Sequence, residues 1–279
     1  MPAAVPEASL APVVLRNAAG DEAVLSPHGA QLLSWRPAGE PEQIYLSGLS
    51  QPGPGIAVRG GTPVCFPQFS ERGPLPKHGF ARTQAWRLIA APPPPGPVAQ
   101  ASFQLDSAMA GPWDRDFCVV LLARLGPRWL ELHLQAANTG RTPWSFTAAL
   151  HTYLRVQDVR TARLAGLQGL DYEDMVGPST LRKETGGDLA IAAETDRVYR
   201  AIAQPLVLTG GGMAPRRLSQ EGFADAVVWN PGPAKAARLG DMPEGDWLHM
   251  LCIEAGAITQ PLELAPGKTW SGLQRIELA

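Results

Sequence analysis

Residues 117–140, FCVVLLARLGPRWLELHLQAANTG, decide the fold class. Leu130, Leu132 and Leu134 alternate with Glu131, His133 and Gln135, the period of two that a strand with one buried face requires. Gly126-Pro127-Arg128 parts this segment from the apolar run before it, a turn signal that predicts an antiparallel pair. His133 falls on the polar side and is expected to face water. Short runs of the same kind extend outward in both directions. Upstream lie VVLRN (13–17), EAVLSPHGAQLLSWRP (22–37) and EQIYLS (42–47), then AWRLIAA (85–91) and VAQASFQL (98–105). The last two are joined by PPPPGP (92–97), which no helix tolerates and which reads as a hairpin connection on an exposed edge. Downstream lie FTAALHTYLRV (146–156), LAIAAETDRVYRAI (189–202), PLVLTGG (205–211), DAVVWNP (225–231) and HMLCIEAG (249–256). Gly210-Gly211-Gly212 reads as a turn between strands. No long stretch keeps a helical period, and no repeat of about 20–50 residues recurs. The expectation is one all-β, large antiparallel sandwich spanning residues 1–279 as a single domain, with the first ten residues disordered.

Composition narrows the function. A net charge of −2 over 279 residues, with no lysine-rich arm, gives no general attraction to nucleic acid. The start, MPAAVPEASLAPVVL, has neither a cationic region nor a long apolar one, so no signal peptide or membrane span is expected. Cys65, Cys118 and Cys252 are odd in number and far apart, which favours reduced thiols in a cytoplasmic protein over a disulfide or zinc site.

Chemistry concentrates in three places. The segment RGGTPVCFPQFSERGPLPKHGFAR (59–82) gathers Arg59, Arg72, Lys77 and Arg82 against the single acid Glu71. Its glycines and prolines exclude regular structure over much of its length, and ordering such a loop costs backbone entropy. A pocket for a small anion and a solvated, proline-stiffened surface loop are both consistent with it. His151 opens the apolar run of LHTYLRV (150–156), where a satisfied core histidine is commoner than a catalyst. Glu254 stands in MLCIEAGAITQPLEL (250–264), and a carboxylate among such residues needs a partner or a function. A cap or a rim arginine would satisfy it; functionally, a histidine and a carboxylate together are the minimum pair for proton shuttling near neutral pH.

RGGTPVCFPQF, HGFAR followed by Trp86, LHTYLRV, GLQGLDYEDM, ETDRVY, VVWNP and DM…MLCIEAG run in the order in which they occur in hexose-6-phosphate mutarotases. The chain therefore resembles that branch of the aldose 1-epimerase, galactose-mutarotase-like group. Gln68 and Ser70 stand where many relatives carry Trp and Gly. The resemblance implies a supersandwich with its site in an open cleft across one sheet, and an enzyme exchanging α and β anomers of hexose 6-phosphates. Glu254 matches the base and His151 the acid at the ring oxygen. His78 matches a second histidine on the sugar, and Asp196 a carboxylate that holds sugar hydroxyls. In the basic loop, the planar guanidiniums of Arg59 and Arg82 suit charge-assisted contacts to the phosphate of such a substrate, while Arg72 and Lys77 either add charge or are solvated. Gln68 and Trp229 are expected to line the sugar face, although a core tryptophan is an equal reading. No cofactor or metal is required, and the expected partner is a small sugar phosphate acted on by a monomer. A non-catalytic sugar-phosphate binding domain and a mutarotase for free hexoses are the alternatives.

Overall fold

A computed structural model describes residues 11–51, 53–93, 95–109 and 113–279. The expected disorder of the first ten residues falls outside this range. The architecture is the antiparallel β one that the alternation predicts, and it is built from three sheets. A nine-stranded sheet runs Leu189–Ala190, Arg163–Ala165, Leu206–Thr209, Arg216–Glu221, Thr269–Leu278, Trp129–Asn138, Phe117–Gly126, Ala99–Asp106 and Arg87–Ala90. The hairpin of residues 117–138 sits inside it, with Leu121 opposite Leu134 and Leu125 opposite Leu130. Arg87–Ala90 forms the edge, paired with Ala99–Asp106 across the proline-rich connection.

An eight-stranded sheet carries the site. Its order is Thr180–Lys183, Asp171–Asp174, Thr195–Tyr199, Asp225–Asn230, Met250–Leu264, Trp144–Leu150 and Val64–Cys65, with Tyr153–Arg155 also pairing on Met250–Leu264. Its pleat divides the side chains between two environments. Leu150, Ala226, Val228, Leu251, Ile253 and Ala255 enter the main core, together with Leu130, Leu132 and Leu134 from the other large sheet. Among the intervening residues of the same strands, Val227, Trp229 and Glu254 line the cleft on the other side. A three-stranded sheet, Val13–Arg16, Glu22–Ser26 and Gln31–Arg36, adds Leu15, Leu25 and Trp35 to the core.

Two local readings change. Residues 189–202 are not one strand: Leu189–Ala190 belongs to the nine-stranded sheet and Thr195–Tyr199 to the eight-stranded one, so the chain crosses between layers at 191–194. Glu131, on the polar side of its strand, is buried rather than solvated. It lies 2.9 Å from Arg124 and 3.5 Å from Arg275, and both guanidiniums lie over the Trp129 ring. A cation–aromatic stack roofs this face, which sequence alternation does not reveal. His133 beside it is half-buried.

Candidate active site

Strand register brings the acid and the base together. Leu150 pairs with Ala255 and Tyr153 with Cys252, so the same register sets His151 opposite Glu254 on one face of the sheet. Their side chains meet with Nε2 of His151 3.3 Å from Oε1 of Glu254. Both are buried, and among the described residues neither Nδ1 of His151 nor Oε2 of Glu254 has a hydrogen-bond partner. Burial dominates the protonation of both groups. It pushes the Glu254 carboxyl well up, aided by Asp196 and opposed by Arg82. It lowers His151 to about 3, with Arg82 and Arg59 adding to the effect. Burial therefore disfavours charge on both groups, tilting the pair away from the ion pair and towards neutral imidazole and carboxyl.

The rest of the cleft wall follows the same pleat. Val227 pairs with Glu254, and Asp196 pairs with Trp229 on the neighbouring strands, which carries Trp229 and Asp196 onto the face shared by the acid–base pair. Trp229 stands edge-on to His151, ring centres 6.1 Å apart. The Tyr153 ring lies nearly parallel to His151 at 4.8 Å and fixes the plane of the imidazole. Burial raises the Asp196 carboxyl, while Lys235 at 3.8 Å opposes that shift.

The loop 59–82 forms the opposite wall. It holds only the short strand Val64–Cys65 and a 3-10 turn at Ala81–Thr83. His78 adopts a left-handed backbone, φ 66°, and is followed by Gly79, φ 69°. A Cβ at Gly79 would lie 2.2 Å from the Phe66 carbonyl oxygen, so only glycine lets the chain pass there. The Ser70 backbone N–H donates to Nδ1 of His78 at 3.2 Å, and the Cys65 sulfur lies 3.3 Å from the same nitrogen. His78 thus carries its hydrogen on Nε2, and burial holds it neutral. It is a fixed neutral donor.

Arg59, Arg72, Lys77, His78, Arg82, His151, Asp196, Trp229 and Glu254 all line this one cleft. The cations on its rim are not equivalent. Arg59 is paired with Asp241 at 3.1 Å and donates to the Tyr153 hydroxyl at 3.1 Å. Arg72 is paired with Glu173, which Arg200 also holds. Lys235 is paired with Glu194 at 2.8 Å. Among the described residues, Arg82 and Lys77 have no carboxylate within ion-pairing distance. Arg82 donates through Nη2 to the Lys77 carbonyl at 2.9 Å, and its Nε is buried without a partner.

Gln68 departs from the expectation. Its amide nitrogen donates to the Ser70 and Leu75 carbonyls at 2.9 and 3.0 Å, and its Oε1 accepts from the Leu75 N–H at 2.9 Å. The side chain is turned into the loop, where it staples the wall and does not line the cleft. Tyr153 and Lys235 line the cleft and Asp241 holds Arg59 at its rim, and sequence reasoning did not single these three out. Tyr153 carries no charge, Lys235 is one unremarkable cation, and only the Asp241-Met242 dipeptide gave any signal for Asp241.

The sequence pattern of the aldose 1-epimerase family matches residues 12–277, and the chain belongs to that family. A relative from Cenchrus ciliaris, provisionally named glucose-6-phosphate 1-epimerase, is 34% identical over 93% of this chain and 82% of its own length. One from Escherichia coli with the same provisional name is 33% identical over 90% and 85%. A crystal structure from Salmonella typhimurium, provisionally described as a mutarotase, superposes with a TM-score of 0.86 at 30% identity, covering 95% of this chain and 89% of that one. Among the described residues, no helix is long and apolar enough to cross a membrane.

Proposed function

We propose that the chain is an epimerase that interconverts the α and β anomers of hexose 6-phosphates, with Glu254 as base and His151 as acid. The observation that carries this reading is the facing His151–Glu254 pair on the floor of a cleft rimmed by cations. Anomer exchange requires the C1 hydroxyl to lose a proton while the ring oxygen gains one. The C1–O5 bond then breaks, the C1–C2 bond turns, and reclosure runs the two transfers in reverse. Opening moves a proton from the substrate to Glu254 and another from His151 to the substrate, so the pair begins as an ion pair and ends neutral.

Burial favours that direction. A raised carboxyl is a stronger base and a lowered imidazolium a stronger acid, and the neutral pair that burial prefers is the one that accompanies the open-chain sugar. The two tautomers hold the same number of protons, so each anomer meets a competent pair. His78 offers its Nε2–H to a sugar oxygen, Asp196 accepts from hydroxyls, and Trp229 gives an apolar surface to ring C–H groups.

The phosphate is assigned to Arg82 and Lys77, the cleft cations without a carboxylate partner among the described residues, with Arg59 as a weaker contributor. Arg72 is assigned to the wall through Glu173. The reading includes action as a monomer in the cytoplasm, supported by three free cysteines and by a cleft complete within one chain. The test starts from pure α-glucose 6-phosphate and follows its anomers by NMR exchange, with free glucose alongside. Binding without exchange would refute the enzymatic reading, and equal efficiency on the two sugars would refute the phosphate assignment.

A further inference from the structure

Cys252 is a buried thiol that the proposed reaction does not use, and it lies two residues before Glu254 on the same face of the same strand. One ligand atom each from Cys252, His151 and Glu254 falls within 4.8 Å of the others. We infer that these three side chains form a binding site for a soft divalent cation, Zn²⁺ in particular, and that its occupation shuts down the acid–base pair.

The geometry and the donor set agree. Tetrahedral zinc with bonds of about 2.0–2.3 Å holds neighbouring ligand atoms roughly 3.3–3.6 Å apart. The His151 Nε2 and Glu254 Oε1 atoms already stand 3.3 Å apart. The sulfur has to close by less than about 1.5 Å to complete the triangle, a shift within the reach of side-chain rotation. Glu254 is 1% exposed and its Oε2 has no partner among the described residues, so a carboxylate oxygen stands ready for a ligand. One imidazole, one thiolate and one carboxylate make a three-ligand set, with His151 and Glu254 on the cleft and Cys252 buried behind them.

Selectivity follows from the cationic rim. Arg59, Lys77 and Arg82 oppose the entry of any cation, so affinity rests on the bonds themselves, and only a metal that bonds well to sulfur gains enough. Mg²⁺, which asks for six oxygen ligands, does not qualify. The ion would occupy Nε2 of His151 and an oxygen of Glu254, the atoms that move protons in the proposed reaction.

The inference about inhibition rests on that reading, but binding can be read without any sugar. Cd²⁺ added to the whole protein should produce the ultraviolet thiolate-to-cadmium charge-transfer band, and Zn²⁺ should abolish it by competition. Cys252→Ser should remove the band and weaken Zn²⁺ binding by at least ~10- to 100-fold, while Cys118→Ser keeps both. In the anomer assay Zn²⁺ should inhibit the wild type reversibly, with EDTA restoring activity. Cys252→Ser, or Cys252→Ala should the first variant fold poorly, should exchange anomers normally and resist Zn²⁺. A cadmium band that survives in both Cys252 variants, or the absence of binding, overturns the site. Binding at Cys252 with anomer exchange intact overturns the inhibition while leaving the enzymatic reading in place.

Discussion

Replacing Arg82 by alanine should separate phosphorylated from free sugars more sharply than replacing Arg59. Arg59 has Nε and Nη2 directed at Asp241, so its charge is balanced before any substrate arrives. Its hydrogen bonds to phosphate are then closer in strength to neutral ones, about 0.5–1.5 kcal/mol, or less than about 10-fold in kcat/KM. Arg82 has no such partner among the described residues and carries an orphaned Nε–H. Removing a charge-assisted hydrogen bond there costs about 1.5–3 kcal/mol, or roughly 10- to 100-fold. The effect should fall mainly on KM, because the phosphate is remote from C1 and its surroundings change little as the ring opens. Anomer exchange measured by NMR at constant ionic strength, on glucose 6-phosphate and glucose in parallel, gives both constants for each variant. Glucose should be a poor substrate throughout and much less sensitive to Arg82→Ala, which reaches it only through the charge Arg82 places near Glu254 and His151. If Arg82→Ala slows both sugars by one factor, or if Arg59→Ala is the costlier change for glucose 6-phosphate, the charge argument fails.

His151→Ala and Glu254→Gln should each lower kcat by ~10²-fold or more, as expected for groups that transfer protons in the transition state; near-normal turnover in either folded variant removes its assigned role. Glu254→Gln should also raise the thermal midpoint above about pH 6. The folded-state carboxyl titrates above its ordinary value, so wild-type stability is lost as pH rises past 4.5, and the amide escapes that loss; an unchanged or lower midpoint contradicts it. Activity should peak while the pair holds one proton. A second proton adds only below the ordinary imidazole value of 6.5, since burial lowers His151, so kcat/KM should persist near about pH 5; an acid limb centred at 6.5 would count against the pair. Gln68→Ala should cost about 1–3 kcal/mol in denaturant unfolding by freeing three loop hydrogen bonds, without the drop in turnover that removing a sugar ligand would bring.

Much of the architecture was legible because alternation is a direct consequence of the pleat, and the hairpin of residues 117–138 sits where the leucine period places it. Glu254 and His151 were legible as oddities, polar groups in apolar runs, and the resemblance paired them. Their register was not, since it depends on how residues 144–155 align with residues 250–264, a long-range fact. Gln68 misled because its position in the loop says nothing about which way its amide turns. Glu131 misled because its neutralising partners, Arg124 and Arg275, come from separate strands. The crossing at 191–194 left no glycine or proline to mark it.

His151 sits in the short break between Trp144–Leu150 and Tyr153–Arg155, both paired to the strand Met250–Leu264 that carries Glu254, and both side chains are buried. Neither can swing to follow a reacting atom. In the proposed cycle the travelling part is therefore the sugar: the freed aldehyde carbon must rotate past two stationary groups and present its other face to the same carboxyl. The enclosure must consequently stay roomy at the C1 end while gripping the far end of the molecule. A phosphate tethered at the rim supplies that grip, a pivot about which the rest of the substrate is free to turn.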